Sequence, residues 1–250
     1  VNLVVAFRNQ QLTDSALLRQ QQVVELSEKV HGKASGTYAT MLDMLADLHR
    51  IKNEFAVAEK YLLQSRNIRT QITTPDDYGQ AANYHILANL YGDMARFDLA
   101  DKYYDSSLQL IQQAGLQDDD LYTTVLRSKA YTDVTAGRLL PAQKNLLQLL
   151  GIYEKKYGKE YLSSAEILVT LGNVEYQINA LAAAMAHTTQ GLAISAKYSG
   201  PETSLAATGY EVQGLIKHKM GSSAEGLLLC EKSLAINKKI LGELHANTAS

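Results

Sequence analysis

The 250 residues hold a single cysteine, Cys230, so no intrachain disulfide can staple the fold. Set beside Leu229, that thiol reads as a small buried residue, and its solitude favours a reducing, cytoplasmic setting. No apolar run is long enough to cross a membrane. The opening Val1-Asn2-Leu3-Val4-Val5-Ala6-Phe7-Arg8 lacks the basic segment and small-residue cleavage pattern of a secretion signal. An excess of one charge is missing too: 24 Lys+Arg against 26 Asp+Glu leave a formal net charge of −2, with no basic field for nucleic acid or anionic lipid. The signatures of chemistry are absent in the same way. There is no His-Glu-x-x-His, Cys-x-x-Cys, glycine-rich phosphate loop or Gly-x-Ser-x-Gly, and the six histidines are scattered. The expectation is a soluble, folded chain that is not an enzyme, without catalytic residues, metal or cofactor.

What the chain does have is a period. Ala58, Ala100, Ala142, Ala184 and Gly226 stand 42 residues apart by difference of their numbers. Leu42, Tyr84, Leu126, Leu168 and Tyr210 form a large column in the same register, and Ala46, Ala88, Ala130, Gly172 and Gly214 a small one. Phe55, Phe97, Leu139, Leu181 and Ser223 make a third, and Ile68, Leu110, Ile152, Ile194 and Ile236 a fourth. Within a unit the apolar and small positions fall at helical spacing on two segments, Leu42-Leu45-Ala46-His49 and Phe55-Ala58-Leu62-Ser65-Ile68. Each unit therefore reads as a helical hairpin. The break falls near Lys52-Asn53, Ala95-Arg96, Gly137-Arg138, Asn179-Ala180 and Gly221-Ser222, where Gly or Asn suits a left-handed helix end. The small columns should face one another where the two helices cross.

Turns between units are marked by Gly32, Gly158, Gly200 and Gly242, with Thr74 and Leu116 at the two places where the period asks for Gly and finds none. Asp76-Asp77, Asp118-Asp119-Asp120, Glu160 and Glu202 follow, where the free amides of a helix start favour an anion. The predicted architecture is an all-α superhelix, a single solenoid over residues 1–250. It comprises a partial unit over 1–36, full units over 37–78, 79–120, 121–162, 163–204 and 205–246, and the start of another over 247–250. Leu3, Val4 and Ala16 extend the register backwards and Thr248 forwards, so the natural protein is expected to continue at both ends. Ends without polar caps would also offer a route to self-association. A HEAT or armadillo array is the alternative fold at this repeat length, and the paired small columns favour the hairpin described.

The order Leu42-Leu45-Ala46-His49-Ala58-Leu62-Ser65, repeated as Tyr84-Leu87-Ala88-Tyr91-Ala100-Tyr104-Ser107, resembles the tetratricopeptide repeat. The 42-residue length is similar to the kinesin-light-chain type, as is the turn Ile240-Leu241-Gly242-Glu243-Leu244-His245-Ala246, with Ala246 in place of a proline. Two departures stand out. The aromatic position gives way to Asp133, Glu175 and Lys217, and Asp43-Met44 occupy the place of the paired asparagines of kinesin light chains.

That resemblance implies that first helices line a concave groove where ligands lie. Helical spacing puts positions 43, 47 and 50 of each unit opposite the packed stripe. The candidate groove residues are Arg50, His85, Asn89, Arg127, Tyr131, Asn173 and Tyr176, whose amides, guanidinium and rings suit an extended peptide. The expected function is a protein-interaction scaffold holding a protein or peptide partner, with neither nucleic acid nor membrane involved. The alternative is a regulatory segment of a larger signalling protein whose effector domain lies elsewhere.

Overall fold

The computed structural model describes residues 3–72 and 76–241, with side chains over 12–72 and 76–240. Thr74, the turn from Gly242 to Ala246, and Thr248 with the helix start at 247 lie outside the described residues. Among those described there is no strand. The helices are α1 (Leu3–His31), α2 (Gly36–Ile51), α3 (Phe55–Gln71), α4 (Asp77–Asp93), α5 (Phe97–Gln113), α6 (Asp120–Thr135), α7 (Leu139–Tyr157), α8 (Leu162–Gln177), α9 (Leu181–Ser199), α10 (Ser204–Lys219) and α11 (Ser223–Leu241). They gather into two compact units, Asn2–Thr132 and Asp133–Ser250.

In the first unit α1 packs on α2, α2 on α3, α3 on α4 and α4 on α5, and α2 also touches α4. In the second, α7 packs on α8, α8 on α9, α9 on α10 and α10 on α11, and α8 touches α10. The small columns make these hairpins close. Ala46, Ala58, Ala88, Ala100 and Ala184 are fully buried. A Cβ placed on Gly172 would stand 2.9 Å from the Ala184 carbonyl oxygen, and one on Gly214 would stand 2.8 Å from that of Gly226. In these two repeats position 46 thus meets position 58 backbone to backbone.

Each hairpin turns through one left-handed residue, at Asn53 (φ 61°), Ala95 (φ 55°), Gly137 (φ 70°), Asn179 (φ 66°) and Gly221 (φ 87°). The next amide reaches back five residues to a carbonyl of the first helix: Glu54 to His49, Arg96 to Tyr91, Arg138 to Asp133, Ala180 to Glu175 and Ser222 to Lys217. That bond satisfies a carbonyl the helix end would leave unpaired. The register asks for the same turn near Gln10-Gln11, yet α1 runs unbroken through it for 29 residues. Neither glutamine adopts the left-handed conformation readily, so helix propagation wins there.

Turns between hairpins also differ in detail from the expectation. Gly32, Gly158 and Gly200 are left-handed, and Gly115, one residue ahead of Leu116, supplies the turn that the period seemed to omit. Ser35, Asp76 and Thr203 accept a backbone N–H at the first turn of α2, α4 and α10, and Asp119 accepts one from Leu121. Glu160 and Glu202 do not cap. They instead pair on the surface with Lys197 and Lys239.

The lost aromatic column has a structural account. In α2–α3, His49 stacks on Tyr61 with centroids 5.7 Å apart, and in α4–α5, Tyr91 stacks on Tyr103 at 5.5 Å. Twelve residues separate the members of each pair, and they are exchanged together further on. Asn145 donates to Asp133 at 3.0 Å, and His187 Nδ1 lies 2.7 Å from Glu175. A third residue completes each clasp: Glu54 on His49, Arg96 over the Tyr91 ring, Arg138 on Asp133, and Gln143 on Glu175. In the last hairpin Lys217 bonds Glu225 instead. Each hairpin tip therefore carries its own polar or aromatic lock.

Candidate interaction surface

First helices lie side by side within each unit, and contacts between them explain why the exposed face is narrower than helical spacing suggests. Position 43 is not uniformly on it: Asp43 is 4% exposed and Val169 1%, whereas His85 and Arg127 in the same column are half-buried and Glu211 is exposed. Arg69, on α3, is buried with Asp43 and donates to it at 2.9 Å, to Thr40 at 2.9 Å, and to Asp76 at the start of α4. Asn83, from α4, donates to the other Asp43 oxygen at 2.6 Å. Burial pushes the Asp43 carboxyl up from its ordinary value, against the pull of Asn83 and Arg69. Gly79 leaves room for the guanidinium, which any side chain there would strike.

In the first unit the candidate groove residues are half-buried and, where their partners are resolved, tied to neighbours. Arg50 donates to Asp47 at 2.8 Å and to Asp93 of α4 at 2.5 Å. Burial disfavours its charge, but the two carboxylates more than offset that and raise its pKa. His85 Nε2 lies 2.9 Å from Ser128 Oγ of α6 and 3.2 Å from the Asn89 amide nitrogen. Asn89 Oδ1 accepts from the Tyr104 hydroxyl at 2.7 Å, and that hydroxyl meets Thr132 Oγ1 at 3.0 Å. This chain of contacts fixes several protons. With Tyr104 donating to Oδ1, the amide turns its N–H toward His85, so Nε2 is the acceptor and Nδ1 carries the proton. Burial lowers the His85 pKa to about 4, and the imidazole is neutral near pH 7.

Arg127 and Tyr131 lie on α6 beside this chain and are half-buried. In the second unit Asn173 and Tyr176 sit on α8, both half-buried. Tyr176 packs against Ala184, Val212 and Ile216, with Lys219 Nζ 5.0 Å from its ring centroid. Its role in holding α8, α9 and α10 together is thus at least as evident as any outward one. Among the described residues no group of three His, Cys, Asp or Glu could hold a metal ion, and no helix is long and apolar enough to cross a membrane.

No protein-family model matches the sequence, and no curated protein matches it. Solved structures do. BtubC (BKLC) from P. vanneervenii superposes with a TM-score of 0.78 at 18% identity, over 92% of each chain. A putative kinesin light chain from P. anserina, with nearly identical TPR-like repeats, gives 0.67 at 18% identity over 79% of this chain and 94% of its own. The fold is that of tandem tetratricopeptide-like repeats. A Rap protein complexed with competence and sporulation factor is similar at a TM-score of 0.59 and 13% identity, over 95% of this chain and 73% of its own.

On this tetratricopeptide-like frame, the partners that sequence reasoning missed are Asp93, Tyr104, Ser128 and Thr132. A signal was available for two of them. Arg50 to Asp93 and His85 to Ser128 are both separated by 43 residues, one repeat plus one residue, which is the offset of side-by-side first helices. Tyr104 was read only as a core residue because its ring is buried at 1% exposure while its hydroxyl emerges at the polar chain.

Proposed function

We propose that this chain is a protein-interaction scaffold, and that the first-helix face of each unit takes an extended peptide segment of a partner. The observation that carries the reading is the half-exposed polar row on α4 and α6, where Asn89 is already held in place by hydrogen bonds and Arg127 stands on the neighbouring helix. A pre-set amide loses little rotamer freedom on binding, and a guanidinium can fork onto a carboxylate. Only one of the two Asn89 amide protons is committed to His85, so a peptide carbonyl can take the second. The likeness to a Rap protein solved with a bound factor supports the same role for this chain. Asn173 and Tyr176 provide an equivalent polar position on α8 in the second unit.

The test is selection from a displayed library of random decapeptides against the whole chain. Selected peptides should lose at least about tenfold in affinity with Arg127→Glu and Tyr131→Ala combined, in protein whose helical circular dichroism is unchanged. Equal binding to the variant rejects this face as the site.

A further inference from the structure

The turn between α7 and α8 departs from the repeat. At the equivalent position of other turns, Ser35, Asp119 and Thr203 each accept a backbone N–H of the following helix. Tyr161 stands there instead, and α8 begins with no side-chain cap. Its ring stacks on Tyr157 with centroids 4.3 Å apart, and both meet the buried Tyr153 edge-on. The corresponding residues in the next repeat are Ser195, Ser199 and Thr203. A stabilising helix cap has been exchanged here for an aromatic wall.

That wall lines a hollow of about 520 Å³, which Tyr157 and Tyr161 share with Leu162 and with Tyr198 from the end of α9. Tyr157 is 43% exposed and Tyr198 52%, so neither ring is spent on the core. Lys159 and Glu160 are the charged members of the lining, and their formal charges cancel. This composition selects among ligands. An anion meets a single lysine already matched by a carboxylate, and a primary ammonium must exchange strongly held water for phenol rings. A quaternary ammonium carries its charge beneath an apolar methyl shell, gives up little hydration and is attracted by ring faces.

The chain itself shows how these rings treat a cation. Lys156 and Lys197 hold Nζ 5.2 Å from the Tyr157 and Tyr198 centroids, within reach of the ring quadrupoles. Lys197 also pairs with Glu160 at 2.5 Å. Glu160 and Tyr198 both belong to the lining, so a carboxylate and a ring of the same hollow already hold an ammonium group together. The Lys197 side chain is exposed, a tethered occupant that a better-suited cation can displace.

We propose that this hollow binds a quaternary ammonium group, with Tyr157, Tyr161 and Tyr198 as its walls and Glu160 as its counter-ion. The group is the head of a choline-like molecule or the tip of a trimethylated lysine, which present the same methyl shell to the rings. Tyrosines already stacked in place lose little rotamer freedom when it enters. Lys197 competes with the ligand for Glu160 and for the Tyr198 ring. The site is independent of the first-helix face, because none of these residues belongs to it.

The test follows backbone amide NMR resonances of the whole chain at fixed ionic strength. The probes are choline, the neutral alcohol with a tert-butyl group in place of its trimethylammonium, and a short uncharged peptide bearing either trimethyl-lysine or lysine. Choline should bind at least about tenfold tighter than the neutral alcohol, and the trimethylated peptide at least about tenfold tighter than the unmodified one. The tighter of choline and trimethylated peptide names the source of the group. Tyr157→Ser with Tyr198→Ser, both at exposed positions, should weaken binding at least about tenfold, whereas Tyr157→Phe with Tyr198→Phe keeps the ring faces and should change it less than about threefold. Lys197→Met should tighten it by removing the competitor. Arg127→Glu with Tyr131→Ala should leave it unchanged, which separates this site from the first-helix face. Equal binding of the neutral alcohol, binding that survives the serine variant, weaker binding to Lys197→Met, or no binding would each overturn the proposal.

Discussion

Removing His85 from the polar chain on α4 tests whether that chain is as dry as its geometry implies. Burial takes the imidazole from 6.5 down to about 4, whereas in the unfolded chain it protonates near its ordinary value. The folded state therefore binds this proton less readily than the unfolded state. Its contribution is complete above pH 6.5, is lost progressively as pH falls from there to about 4, and is level below. The full interval corresponds to about 3 kcal/mol, and the part lost by pH 5 to about 2 kcal/mol. Two measurements read it. The Cε1 proton of His85 in an NMR titration should hold its neutral position down to about pH 5. Urea unfolding at about pH 7.5 and pH 5 should show the wild type losing about 2 kcal/mol more than His85→Gln, which cannot titrate. An imidazole midpoint near 6.5, or equal losses in the two proteins, would refute the buried, neutral His85 described above.

The remaining predictions concern packing and turns. Ala88→Leu should overpack the crossing of α4 and α5 and cost about 1–3 kcal/mol in chemical denaturation. Arg69→Met leaves Asp43 buried without its cation and should cost about 3–5 kcal/mol, with much of the loss recovered when Asp43→Leu is added. Ala95→Gly should stabilise by about 1 kcal/mol, because a left-handed alanine is strained and its equivalents at 137 and 221 are already glycine; thermal melts decide it. Tyr161→Thr restores a cap at the start of α8 and should leave the melting temperature close to wild type, whereas Tyr153→Thr empties a buried ring position and should lower it by several degrees.

Most of the fold was legible because small residues leave an unmistakable column. Ala46 and Ala58, or Gly172 and Ala184, report a backbone approach that no larger side chain tolerates, and helical spacing assigns each to its segment. The left-handed turns were legible at Asn53, Gly137, Asn179 and Gly221 for the same steric reason, but Ala95 showed that the column holds without its preferred residue. Less of the surface could be read. Helical spacing alone puts Asp43 on the outer face, since it takes no account of α4 lying against α2 and delivering Asn83. Two contacts between first helices, Arg50 to Asp93 and His85 to Ser128, follow an offset of one period plus one residue, which shows only when helices are set side by side. The tyrosines at 153, 157 and 161 escaped notice because they depart from the columns, and a register search reports conformity.

The locks at the hairpin tips bear on how such a chain finds its fold. A string of near-equivalent hairpins invites a helix to dock on the wrong neighbour, since the small columns are interchangeable from one repeat to the next. The tip residues are not. Pairing the first helix of α2–α3 with α5 would set His49 against Tyr103 but bring Arg96 to a position suited to Glu54, and pairing α8 with α11 would leave the Glu175 carboxylate against Leu229 with no imidazole to meet it. Each hairpin thus carries an address, written in a different chemistry, that penalises exchange between repeats while the common columns supply the packing.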